Sequence, residues 1–151
     1  ETDRTRIDLQ TTTEPYNPLV DIELYNFNLY IPAGDASHEA SQDIQIAEWY
    51  PEFAGQRVRL LSASPHMHEI GTAIRVERVL SDGQTECLLD LPRWDFNWQR
   101  NYNFASEVFI EADDLLRLTC TYDASQREDP VTWGDGTQDE MCIAYFQGIY
   151  E

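Results

Sequence analysis

Two histidines separated by a single residue, His66 and His68, are the side chains of this sequence best suited to chemistry. Residues two apart on an extended strand project to the same face, so both imidazoles can reach one metal ion. Pro65 before them and Gly71 after them place the pair near a strand end, where a site can open to solvent. Met67 between them faces the other way and reads as a core residue. The chain has three histidines, and two fall here. Two imidazoles leave a site incomplete, so a third ligand has to come from elsewhere. His38 lies in the polar stretch 34–42 and reads as an ordinary loop histidine. The carboxylates are too numerous to choose among. Met141 stands between the acidic turn 133–140 and an apolar run. Its thioether is a soft donor that, with imidazoles, selects copper and above all Cu(I) over zinc, calcium or magnesium.

The elements that must carry these residues read as strands. Alternation of apolar and polar residues runs through 19–31, 44–49, 57–64, 72–80, 86–91, 107–111, 115–122 and 141–150. Ser81-Asp82-Gly83-Gln84 is a hairpin turn signal. No stretch keeps a 3.6-residue period over three turns, and no internal repeat is present. The expectation is all-β: an antiparallel, jelly-roll-like β-sandwich of about eight strands over residues 19–151. Residues 1–18 are polar and Thr-rich, with Ile7 and Leu9 their only aliphatics, and read as an arm or linker.

Composition narrows the function classes. The chain has 151 residues, enough for one domain, with 28 acidic residues against 10 arginines and no lysine, a net charge of −18. That field repels phosphate backbones and anionic lipid, which excludes nucleic acid as a partner. No apolar run approaches the roughly 18 residues that insertion across a membrane requires. Hydrophobic content of 42% supports a packed core. Cys87, Cys120 and Cys142 allow at most one internal disulfide, and such a bond would mean an oxidising compartment. The start at Glu1, without an apolar leader, reads as a processed mature protein or an excised fragment.

Pro65-His66-Met67-His68-Glu69-Ile70-Gly71, followed about seventy residues later by Gly136-Thr137-Gln138-Asp139-Glu140-Met141-Cys142, resembles the copper type II, ascorbate-dependent monooxygenases. The likeness is to the C-terminal of their two catalytic domains and runs from about residue 24 to 150. The segments 93–99 and 120–123 resemble bacterial members in particular. The resemblance implies that His66, His68 and Met141 form the copper site where oxygen binds and a substrate C–H bond is attacked. It implies a Cys120–Cys142 disulfide, with Cys87 left free, and a secreted, extracellular or periplasmic protein. Tyr145, three residues after Cys142, is retained as a residue that can contact substrate.

The sequence also departs from the family. The second copper is held there by three histidines of an N-terminal domain, and His38 alone cannot rebuild it. The chain would therefore need a partner domain, or a reductant such as ascorbate, for its second electron. The residues do not decide whether this chain is an enzyme by itself. Peptidylglycine members carry an Arg two residues before the first His, where Ser64 stands here, and an Asn where Ile143 stands. Recognition of a C-terminal glycine is not supported, and the net charge disfavours a carboxylate substrate. The alternative is a non-catalytic fibre or surface-layer subunit on the same fold, a homo-oligomer joined through residues 1–18. The 135–140 turn lacks EF-hand spacing, a looser calcium site among Asp113, Asp114 and Asp123 stays open, and the Trp94–Trp98 cluster reads as core and rim packing.

Overall fold

The computed structural model describes residues 4–80 and 82–151; residues 1–3 of the arm and Ser81 of the expected turn lie outside them. Among the described residues the strands are β1 (Leu19–Tyr25), β2 (Tyr30–Ile31), β3 (His38–Gln45), β4 (Arg57–His66), β5 (Gly71–Val79), β6 (Thr85–Leu91), β7 (Tyr102–Glu111), β8 (Leu115–Tyr122), β9 (Val131–Thr132) and β10 (Ile143–Tyr150). Eight of them build two four-stranded antiparallel sheets, ordered β1-β10-β4-β7 and β3-β8-β5-β6, and β2 pairs with β9 apart from both. This is the expected all-β sandwich. Its single core takes Ile22, Leu24, Leu60 and Phe146 from the first sheet and Ile44, Ile74, Val76 and Leu118 from the second, all essentially buried. Each such side chain adds about 1.5–3 kcal/mol over leaving it in water.

One irregularity decides which way the histidines point. On β4 the even-numbered Val58 and Leu60 face the core. Opposite them, Gly148 of β10 pairs with Leu60 while Gln147 pairs with Ser62. Leu61 is thus one extra residue, and such a bulge shifts the strand's phase by one. From there on Ala63, Pro65 and Met67 are the inward residues, and Ser64, His66 and His68 turn to the outer face. Gly148 permits the close approach: a Cβ there would stand 2.8 Å from the Arg59 carbonyl oxygen.

Several segments differ from the sequence reading. The alternation through 44–49 breaks after Gln45, and Ile46–Trp49 forms one turn of helix, α1. The β7–β8 turn causes this by supplying acceptors, with Ile46 N–H on the Asp114 carbonyl at 3.1 Å and Ala47 N–H on that of Ala112 at 2.8 Å. The expected run 19–31 splits because the Asn26 side chain accepts the Asn28 N–H at 3.1 Å and closes a local turn. His38 opens a strand, not a loop, because that stretch pairs with β8 from His38↔Tyr122 onward. Cys87 is free, as the resemblance implied, and exposed. It lies on edge strand β6, where a register shift leaves Leu88 unpaired and turns Cys87 outward. The Leu80 N–H to Gln84 carbonyl bond closes the β5–β6 hairpin as the turn signal indicated. The arm from residue 4 to 18 lies outside both sheets, with Ile7 and Leu9 exposed.

Candidate metal centre

The outer face of the first sheet, at the end where β4 stops, carries the candidate residues in transverse rows. Glu23, Tyr145 and Ser64 pair across β1, β10 and β4, and two residues on, Tyr25, Ile143 and His66 do the same. Two residues further along, past the last paired residues, the chains carry His68 and Met141. His68 and Met141, 73 positions apart in sequence, are linked there by the Glu140 carboxylate, which accepts both of their backbone N–H groups. An open pocket of about 680 Å³ lies over these rows, lined among others by Tyr25, His66, Trp133, Met141, Ile143 and Tyr145. His68 does not line it and is buried. The two imidazole centroids are 5.1 Å apart with their planes at 78°.

Each ring has its Nδ1 occupied by a carbonyl oxygen. His66 Nδ1 is 2.7 Å from the Gln99 side-chain oxygen, and His68 Nδ1 is 3.0 Å from the Asp139 backbone oxygen. A carbonyl can only accept, so both Nδ1 atoms are the protonated ones. In the neutral imidazole Nε2 then keeps its lone pair, the state a metal ligand needs. The acceptor on Gln99 is itself oriented, since its amide N–H₂ donates to the Phe96 carbonyl at 3.0 Å.

Met141 is fixed through its backbone. The Tyr122 hydroxyl donates to its carbonyl oxygen at 3.0 Å, and burial pushes that phenol far above its usual range, so it remains a donor. The neighbouring Cys142 is bonded to Cys120 of β8, with Cα atoms 5.9 Å apart, which ties one sheet to the other. This is the pairing the resemblance implied. Glu140 is fully buried, and its carboxylate accepts the backbone N–H groups of His68, Ile70 and Met141. Burial pushes the Glu140 carboxyl up, while these three donors and His68 pull it back.

Met67 is fully buried as expected. Tyr145 is in the pocket, 37% exposed. His38 is not brought to the site: its ring turns toward Asp35 at 3.3 Å and does not line the pocket. Among the described residues no three His, Cys, Asp or Glu side chains gather into a cation-sized group. Asp113 and Asp114 precede β8 whereas Asp123 follows it, so the calcium expectation fails on placement. Met141 lines the pocket with His66, so a thioether is a further donor type available there. Trp94 packs on the core and donates from its indole to the His68 carbonyl at 3.2 Å, whereas Trp98 is 59% exposed with Arg100 stacked on it.

Sequence reasoning missed Glu140 and Gln99 as partners of the site. Glu140 is one of ten acids between residues 107 and 140, and only its position beside Met141 could have singled it out. Nothing local marks Gln99.

A family model described as copper type II ascorbate-dependent monooxygenase, C-terminal domain, matches residues 19–149. The chain is 25% identical over 93 residues to MOXD1 homolog 1 of Drosophila melanogaster, covering 62% of this chain and 13% of that protein. It is 29% identical over 89 residues to dopamine beta-hydroxylase of Canis lupus familiaris, covering 58% of this chain and 14% of that protein. The matched stretch thus spans only a small part of either relative.

Proposed function

This chain belongs to the copper type II, ascorbate-dependent monooxygenase family through the family's C-terminal domain, and from that premise we propose that it holds one copper ion through His66 Nε2, His68 Nε2 and the Met141 thioether. The observation that carries this reading is the commitment of both Nδ1 atoms to carbonyl acceptors beside a methionine. Bound there, copper would supply the redox chemistry for inserting one oxygen atom of O₂ into a substrate C–H bond, the other leaving as water with two protons from solvent and two electrons from a partner domain or a reductant such as ascorbate. The chain's own residues do the rest. Gln99 and Asp139 hold the imidazoles in the metal-binding tautomer. Tyr25, Phe27, Trp133 and Tyr145 offer an apolar, aromatic wall to a substrate body, with Tyr145 as its contact. The buried disulfide fits an exported protein working in an oxidising compartment.

Anaerobic Cu(I) titration tests the assignment. One equivalent should bind, and Met141→Ala should weaken it about tenfold or more. A stoichiometry near zero, or an affinity indifferent to Met141→Ala, overturns it.

A second reading, assembly of copies through the arm, is favoured by the 78% and 86% exposure of Ile7 and Leu9. Removing residues 1–18 and weighing the particles in solution decides it: the same monomeric mass with and without the arm rejects assembly.

A further inference from the structure

The chain segments bearing His68 and Met141 both run past the last paired residues, Ile143 and His66. Strand pairing therefore does not hold them in register, and the Glu140 side chain takes its place. Its Oε2 accepts from His68 N–H at 2.8 Å and from Met141 N–H at 3.2 Å, and its Oε1 accepts from Ile70 N–H at 2.9 Å. The Glu140 backbone is anchored in turn, its N–H on the Thr132 carbonyl at 3.1 Å and its own carbonyl taking the Gly134 N–H at 3.3 Å. One buried carboxylate thus replaces the carbonyls that a continued strand pair would have offered. We infer that Glu140 is a positioning residue that sets His68 and Met141 in a common frame before any metal arrives, and so determines whether the thioether reaches an ion held by the imidazoles. The inference rests on the copper assignment above. A glutamine at 140 keeps the shape but turns an amide N–H₂ toward backbone donors, so at least one of the three bonds is lost. An aspartate keeps both acceptors but falls one methylene short.

The test compares Glu140→Gln and Glu140→Asp with the parent chain. Cu(I)-loaded samples are read by X-ray absorption, and metal-free samples by amide hydrogen exchange. Folded variants should retain two imidazole ligands, lose or lengthen the sulfur shell, and bind Cu(I) about 10- to 100-fold more weakly. On a Met141→Ala background the same substitutions should cost little more. A folded Glu140→Gln with the parent's sulfur shell and affinity overturns the inference, as do losses that simply add to that of Met141→Ala. Should neither variant fold, the metal-free parent decides: slow exchange at His68, Ile70 and Met141 supports the clamp, and fast exchange removes it. A parent that binds no copper, or binds it without sulfur, defeats the copper assignment, and the exchange measurement still judges the clamp.

Discussion

His66 and His68 are two residues apart and share a face, yet opposite kinds of structure hold them. His68 is buried; its ring is bonded to a backbone carbonyl, its own carbonyl to Trp94, and its N–H to the buried Glu140. Met141 belongs to this closed side, through Tyr122 and the Cys120–Cys142 bond. His66 lies at the pocket, and its ring is bonded to one exposed side chain, Gln99, on the loop 92–101. The closed side is built from the core, so damage there should cost stability and metal together. The open side depends on a surface loop, so damage there should cost metal alone.

The disulfide offers the largest break. Replacing Cys120 and Cys142 together by Ala removes a link across 22 residues, worth about 3 kcal/mol by the chain-entropy argument. Urea unfolding should show that loss, and Cu(I) titration a parallel fall in affinity. Unchanged copper binding after a full loss of that stability would separate Met141 from the closed side.

Gly71→Ala comes next. A Cβ at Gly71 would lie 2.4 Å from Met67 Cε, 2.9 Å from Met67 Cβ and 3.1 Å from Trp94 Cδ1. The residue between the two histidines would have to move, at a cost of about 1–3 kcal/mol. The denaturation midpoint should drop, and the His68 imidazole resonances should shift more than those of His66.

Gln99→Ala tests the open side. The residue is exposed, so stability should change by less than about 0.5 kcal/mol. Freeing the His66 tautomer should lower Cu(I) affinity about tenfold. A variant that loses both, or neither, erases the distinction between the two sides.

The smallest effect is a control on the other sheet. Asp43 and Arg117 pair there at 2.6 Å and 2.8 Å, and the hydrogen bond from Arg117 holds the Asp43 carboxyl below its usual range. A carboxyl lowered on folding adds stability above its unfolded value near 4, and that gain is lost as pH falls through the folded value. The pair is 39% and 45% exposed, so screening limits it to about 0.5 kcal/mol. In Asp43→Asn the acid limb of the stability curve, as pH falls below about 4, should flatten slightly, with copper binding untouched.

Much of the fold was legible because period-two alternation reports burial directly. β8 falls on residues 115–122 as the pattern predicts, since it is central and every second side chain must enter the core. The pattern fails where tertiary bonds compete. Residues 46–49 alternate as a strand would, but Ile46 and Trp49 also lie three apart, and the carbonyls of the β7–β8 turn select the helical turn. Of the site, the donor types His66, His68 and Met141 were readable from chemistry and spacing. Glu140 and Gln99 were not, because an acceptor's value depends on which N–H it meets.

The sequence by itself determined the two-sheet class, the three candidate donors and, through the family resemblance, the Cys120–Cys142 pair, because residue type and periodicity are local properties. Only the tertiary structure decided that the segments carrying them come together. The extra residue Leu61 turns His66 outward, the pairing of β4 with β10 brings the segments bearing His68 and Met141 to one end of the sheet, and Glu140 links them there. Phase and register are relations between strands, and no single strand contains them.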